Sequence, residues 1–474
     1  MGDPETPTIL KTALDLPPDR LAATIGAWPE PAILASGSGF GDAGRWTILA
    51  AYPRLVFEAV GDRWSIRNDD GSFETGGDPL AALATLACRF RLGDVGASPD
   101  PDDCPFQGGL IGFLGYDLAP LIERLPRKAA RDSKLPDARM ALYDTAVVVD
   151  HEKDEAFLFA WDLTDEGRDA TERRARFWRR ALRRAGDALR APGASSLGPL
   201  SGNFSREGYL LAVGRVLDYI AAGDVFQINL SQRFTATGRV DPLELFLRLQ
   251  QESPAPFSAF LRWRNLAVVS ASPELFYQTR GDLVITRPIK GTRPRGATPE
   301  ADKALASELA ASVKDRAELT MIVDLERNDL GRVCRFGSVR VVDPLVLESY
   351  AQVHHLVATV EGRLRAPIGP VDVIRAVFPG GSITGAPKIR AMEIIDELEP
   401  TRRSLYTGAI GYLGRGGASG FNIAIRTVLV EGDRVSYQVG GGVVSDSDPE
   451  SEYEETMHKG RGLRGVLIGK DGSE

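Results

Sequence analysis

The chain has 474 residues, 43% apolar and 26% charged, which suits a globular protein of two or three domains or one large intertwined body. A formal net charge of −8 argues against a nucleic-acid or anionic-membrane partner. Cys88, Cys104 and Cys334 form no CxxC pair, and no apolar run approaches the ~18 residues of a membrane span, so a disulfide framework, a structural zinc site and a membrane helix are all disfavoured and a cytoplasmic setting is expected.

Between about 30 and 160, the short apolar runs WTILAAYPRLVFEAV, ALYDTAVVVD and EAFLFAWDL predict strands. Residues 165–190 predict an amphipathic helix with Phe177, Leu182 and Leu189 apolar and arginines filling most of the rest, read as a solvated face rather than a docking surface. APGASSLGPLSGN, 191–203, has the composition of a linker, and two domains are expected, 1–195 and 204–470. Beyond it, Ser205 suits a helix N-cap with Glu207 in the first turn, Leu210, Val213, Leu217 and Ile220 follow at helical spacing, and Gly223 stops the helix. VFQINLSQRF, FSAFLRW, NLAVVSAS, ELFYQT and DLVITRP then predict a run of strands. In RPIKGTRPRG the strand is expected to give way to a loop carrying Lys290, with Gly291 leaving room for a small molecule beside the backbone. Strand and helix runs alternate in blocks, which argues for an α+β fold with antiparallel sheets rather than a strict βαβ repeat.

Two later helices carry paired carboxylates. In SVKDRAELTMIVDLERND, Asp315 and Glu318 are three apart and share a face. In SDPESEYEETMHKG, Asp448 suits the N-cap, Pro449 the first helical position, and Glu452, Glu455 and Lys459 fall on one face. Two such helices could share a hard cation such as magnesium, or the acids could simply favour the helix dipole. FPGGSITGAPKIRAMEIIDELEP places Thr384 and Gly385 at the mouth of a helix expected to start at Pro387, where free N–H groups attract an anion, although the nucleotide P-loop spacing is absent. The glycine run Gly440, Gly441 and Gly442, together with Tyr406 and Arg426, could meet a carboxylate.

Taken in order, FQINLSQRF, SPELF, RPIKGT, DRAELTMIVDLERNDLGR, VHHLVATV, FPGGSITGAPKIRAMEIIDELEP, TGAIGY and EYEETMHK resemble the chorismate-utilising enzymes, closely over 205–465, while FQGGLIGFLGYDLAPLIERLP resembles their amination subgroup. The resemblance implies two antiparallel sheets packed together and flanked by helices, with an anthranilate synthase component I-like N-terminal domain and a chorismate-binding catalytic domain. Anthranilate synthases generally read PIAGT, whereas aminodeoxychorismate synthase large subunits read PIKGT, as here. Conversion of chorismate to 4-amino-4-deoxychorismate, the precursor of 4-aminobenzoate and folate, is therefore implied. By the same resemblance, Lys290 is the nucleophile, Glu274 the general acid and His355 a pocket histidine, with His354 structural. Glu318 and Glu455 hold Mg2+, with Asp315 and Glu452 acting through water. Gly291, Thr292, Thr384, Gly385, Tyr406, Arg426, Gly440, Gly441, Gly442 and Lys459 contact substrate. Gln227 stands where water-using members carry a lysine base, which favours ammonia as the attacking group.

None of the three cysteines has a glutaminase context, so a separate glutaminase subunit is expected to supply the ammonia. Ser36, in ILASGSGF, and Pro254, in SPAPF, match positions that bind tryptophan in related proteins, although Ala35 replaces the acidic residue found there. Two alternatives stay open at this stage: an anthranilate synthase large subunit, and a non-catalytic amino-acid-sensing scaffold of the same fold.

Overall fold

The strand Gln227–Arg239 shows how the C-terminal half is built: its first seven residues are buried on both faces, because one face meets helices and the other the interior between two sheets. The computed structural model describes residues 9–37, 39–93, 104–163, 166–185, 195–350, 353–415 and 417–468. Among these, the strands form one 13-stranded and one 12-stranded sheet with antiparallel pairing, flanked by helices, which is the α+β architecture expected.

Both halves of the sequence contribute to both sheets. In the first sheet, Ala32–Ala35 pairs with Phe257–Trp263, in register Ser258 opposite Ala35. In the second, Gly109–Leu114 pairs with Ala409–Gly414. Segments 1–195 and 204–470 are thus interleaved, and apolar residues of both, including Ile48, Phe113, Leu261, Val268 and Ile410, share one core cluster. Of the expected linker 191–203, residues 191–194 lie outside the described residues.

The basic helix spans Arg168–Ala185 and packs through Ala175, Trp178 and Leu182, which recur at i, i+3 and i+7. Phe177 falls off that face and is 53% exposed, its ring edge-on to Tyr52; Leu189 lies outside the described residues.

Cap readings hold in detail at two helices. Ser205 accepts from Gly208 N at 3.0 Å to open Arg206–Ala221, and Asp448 accepts from Ser451 N at 2.9 Å at the start of Pro449–Ile468. Pro387, expected as a first helical residue, is instead the N-cap of Lys388–Leu398. Lys290 does not sit in a loop. It belongs to the strand Ile289–Pro294, which pairs with Val353–Arg363. The register slips between Lys290 and Thr292, a bulge at Gly291, whose φ of +74° suits glycine.

Candidate active site

Five elements converge on one place. The neighbouring strands Gln227–Arg239 and Arg434–Val443 come from the first sheet, and Ile289–Pro294 comes from the edge of the second. Helices Val313–Gly331 and Pro449–Ile468 bring the acidic residues across them. The bulge lets strand and helix approach: a Cβ at Gly291 would stand 2.9 Å from Asp315 Cγ and 2.7 Å from Leu309 Cδ1. Gly291 therefore lets the helices pack closely against this strand.

Lys290 points inward. Its Nζ lies 4.0 Å from Glu318 Oε2 and donates to Ser382 O at 3.4 Å. Burial pulls its pKa below the ordinary lysine value, opposed by Glu318 and reinforced by Lys459. Glu274 is 5% exposed and accepts a long hydrogen bond, 3.4 Å, from Ile289 N, next to the lysine. Burial raises its pKa, against the pull of the Ser382 hydroxyl and then of Lys290, so burial favours the neutral form of both acid and amine.

The carboxylates divide into two groups. Glu452 Oε2 and Glu455 Oε1 would meet a Cβ at Gly441 at 2.9 and 3.5 Å, so this glycine keeps the space between them open. Glu452 accepts from Ser447 Oγ at 2.6 Å through one oxygen, while its buried Oε2 has no partner. Burial raises the pKa of Glu452 and of Glu318. Burial acts in the same direction on Glu455, but its pairing with Lys459 at 2.6 Å outweighs it and holds the carboxyl below its usual value. Lys459 also donates to Gly440 O at 3.0 Å. Asp315 is turned toward Arg293, 3.5 Å away. Among the described residues, no three His, Cys, Asp or Glu side chains form a metal cage by themselves. An orphaned carboxylate oxygen beside Glu455 nonetheless suits a cation that takes only one or two protein carboxylates and completes its shell elsewhere.

The remaining polar groups are poised for a ligand. His355 is 2% exposed, with Nδ1 2.9 Å from Thr292 Oγ1 and Nε2 buried without a partner. Burial, then the nearby Arg426 charge, lowers its pKa to about 4, so it is neutral at pH 7. His354 is structural, bonded to Ser349 Oγ at 2.7 Å and Asp302 Oδ1 at 2.9 Å. Gln227, 1% exposed, carries an unpartnered Oε1, and a Cβ at Gly442 would run into its amide and stand 3.7 Å from Lys290 Nζ. Tyr406 Oη is 2.9 Å from where a Gly440 Cβ would lie. Arg426, at φ +49°, is half-buried; burial lowers its pKa while the charge of Glu274 raises it. Thr384 differs from expectation: its hydroxyl donates to Gly380 O at 2.9 Å, and Gly385–Ala386 pairs with strand Gln227–Arg239 instead of standing open at the helix start.

A model of chorismate binding enzymes matches residues 58–465. The chain belongs to that family. It is 43% identical over 439 residues to aminodeoxychorismate synthase component 1 of Klebsiella aerogenes, covering 92% of this chain and 93% of the relative. It is 42% identical over 412 residues to anthranilate synthase component 1 of Thermus thermophilus, covering 86% of this chain and 88% of the relative. It is also similar to the crystal structure of anthranilate synthase component I from Streptococcus pneumoniae TIGR4, with TM-score 0.75, 31% identity, and coverage of 90% of this chain and 98% of that one.

For a chorismate binding enzyme, a separate cavity of about 430 Å³ stands apart from the acid–lysine cluster. Ser36, Pro256, Leu275, Tyr412 and Asn422 are among its lining residues, and Ser36 Oγ donates to Pro256 O at 2.5 Å. Pro254 lies outside that lining, two residues before the proline that forms it. Sequence reasoning also passed over Ser382, although its place between two glycines and Thr384 in GGSIT was the available signal, and the buried pair Arg403–Glu399. Arg403 reaches Glu399 Oε1 at 2.7 Å, Ile383 O at 3.0 Å and Thr407 Oγ1 at 3.2 Å, bracing the loop that ends at Thr384.

Proposed function

We propose that this chain is the large component of aminodeoxychorismate synthase, converting chorismate and ammonia to 4-amino-4-deoxychorismate for 4-aminobenzoate and folate synthesis. Overall identity favours neither amination branch, since the two kinds of relative are 43% and 42% identical to it. The observation that carries the reading is the position of Lys290: its side chain is only 13% exposed, stands beside Glu318, donates to Ser382 O, and follows Ile289, whose N–H bonds Glu274. A solvent-facing bystander lysine would have none of these neighbours.

The chemistry follows from the substrate. The ring hydroxyl at carbon 4 is a poor leaving group, so Glu274 gives it a proton and it departs as water. The Lys290 lone pair forms the bond to carbon 2, and both ring double bonds shift as the carbon–oxygen bond breaks. Ammonia then attacks carbon 4, the double bonds return, and the lysine nitrogen leaves. Gln227, an amide, cannot take a proton from water, which favours ammonia. Arg426, Tyr406 and the open floor at Gly440–Gly442 suit the substrate's carboxylates.

Glu318 and Glu455 would hold Mg2+, with Asp315 and Glu452 behind them, and the ion when bound supplies positive charge for the ring carboxylate. The ammonia would come from a glutaminase subunit, a reading supported by the "component 1" names of the relatives and by the sequence contexts of Cys88, Cys104 and Cys334, none of which resembles a glutaminase nucleophile. The same cysteines fit a cytoplasmic setting, and among the described residues no helix is long and apolar enough to cross a membrane. The cavity at Ser36 has the volume of a small-ligand site and is where a bound tryptophan would fit.

Product identification tests the function. Chorismate, magnesium and ammonium salt, followed by the downstream lyase, should give 4-aminobenzoate; 2-aminobenzoate would place the chain with the anthranilate synthases, and no chorismate consumption would leave a scaffold.

A further inference from the structure

Ser382 lies in the short turn Gly381–Ile383, between the acid and the nucleophile. The residue is 7% exposed, and its Oγ is sealed from water without a well-formed hydrogen bond. Its carbonyl accepts from Lys290 Nζ at 3.4 Å. The turn is pinned on both sides. Thr384 Oγ1 donates to Gly380 O at 2.9 Å, and Ile383 O accepts from Asn229 Nδ2 and from Arg403 Nη1, each at 3.0 Å. The backbone of Ser382 is therefore fixed while its hydroxyl, close enough to Glu274 to act on it, makes no well-formed hydrogen bond. A buried hydroxyl without a partner is destabilising, which calls for a partner at some stage of turnover.

That partner is available in Glu274. When the acid releases its proton, a carboxylate forms in a site closed to water, and a buried carboxylate needs donors. Ile289 N supplies one, at a long 3.4 Å. We infer that Ser382 is a positioning residue for Glu274, its hydroxyl turning to donate to the carboxylate as the proton passes to the departing oxygen on carbon 4. The proton balance is complete without a co-reactant: it leaves the carboxyl, joins the carbon 4 oxygen and departs in water, while the serine proton stays on the serine. The Ser382 hydroxyl pulls the Glu274 pKa down in the resting site, in the same sense. The charged groups facing Glu274 from the surrounding elements are Lys290, Lys459, Arg426 and Glu326, and none of them is altered by a change at Ser382.

The inference rests on the amination reading above, and its test separates the two. The full chain is assayed with chorismate, magnesium and saturating ammonium across pH, as wild type, Ser382→Ala and Ser382→Thr. Ser382→Ala should lose roughly 10²-fold in kcat, as for loss of one donor to developing charge, with KM for chorismate within about twofold. Without the donor, Glu274 holds its proton to higher pH, so the alkaline edge of the kcat profile should move upward. Ser382→Thr keeps a hydroxyl and should restore both rate and edge. An active wild type whose Ser382→Ala variant keeps its rate and its alkaline edge overturns this inference alone, as does a loss of rate with an unmoved edge that threonine fails to rescue. A wild type that consumes no chorismate overturns the functional reading and this inference with it.

Discussion

Lys290 Nζ and Glu318 Oε2 lie 4.0 Å apart, which makes the proposed nucleophile and a proposed metal ligand direct neighbours. The lysine comes from a strand at the edge of one sheet and the glutamate from the helix laid across it. The contact depends on the bulge at Gly291, because any larger residue there would collide with Asp315 on the same helix. Charge, nucleophile and backbone irregularity therefore form one unit.

Loss of either acidic helix ligand should abolish metal-dependent turnover. Glu318→Gln and Glu455→Gln each remove a charged oxygen ligand suited to a hard cation. Activity should collapse and extra ammonium should not restore it. Isothermal titration with magnesium provides a second readout, and wild-type affinity together with near-normal rates at low magnesium would sink the assignment.

Nitrogen delivery should require a second chain. The purified protein should use ammonium at raised pH and should not use glutamine until a glutaminase subunit is added. Product formation from glutamine in a preparation shown by mass spectrometry to lack a partner would contradict this.

Glu326 gives a pH dependence of stability that is independent of the reaction. Burial pushes its pKa from 4.5 up to about 8, opposed by the Thr286 hydroxyl that bonds it and assisted by Glu274 and Asp329. Below the unfolded value, folded and unfolded chains both hold the proton, and the group contributes nothing. Between about pH 5 and 8 the unfolded chain releases a proton that the fold retains, so stability falls as pH rises, by at most about 1.4 kcal/mol per unit. Glu326→Gln should flatten that slope and gain on wild type toward pH 8. Thermal midpoints measured across the window check it, and parallel curves would contradict it.

The buried pair Arg403–Glu399, 1% and 2% exposed at the side chains, should behave as a unit. Arg403→Met strands the glutamate and should cost about 3–5 kcal/mol in urea unfolding, whereas Arg403→Met with Glu399→Gln should recover part of the loss. Equal losses in the single and double variants would show that the arginine acts through its bonds to Ile383 and Thr407 instead.

Local signals account for what the sequence made legible. Asp448 and Pro449 mark the start of the last helix because capping is a matter of four consecutive residues. Asp315 and Glu318, or Glu452 and Glu455, share a face by spacing alone. Lys290 lies in a strand rather than the expected loop because the strand that pairs with it, Val353–Arg363, lies far along the chain. Length allowed one intertwined body, but which strands interleave was not legible: the pairings of Ala35 with Ser258 and Leu114 with Ala409 leave no trace in either segment alone. Ser382 escaped because a hydroxyl is significant there only once its lack of a partner is seen.

Lys290 should be the nucleophile that directs amination to carbon 4. A bystander lysine would contribute surface charge, and its loss would matter by less than about 0.5 kcal/mol. Loss of a covalent route should raise the barrier by several kcal/mol, at roughly tenfold in rate per 1.4 kcal/mol. Burial already lowers the lysine pKa, so the free amine is populated at a lower pH than on an exposed side chain. In Lys290→Ala ammonia can only attack directly, and residual product should shift toward carbon 2. Wild type incubated with chorismate and magnesium but no ammonia should carry a transient chorismate-derived adduct on the peptide containing Lys290, detectable by mass spectrometry. Should Lys290→Ala make 4-amino-4-deoxychorismate at the wild-type rate under saturating ammonium, the lysine is not the nucleophile, and the choice between the two amination branches loses the residue on which it rests.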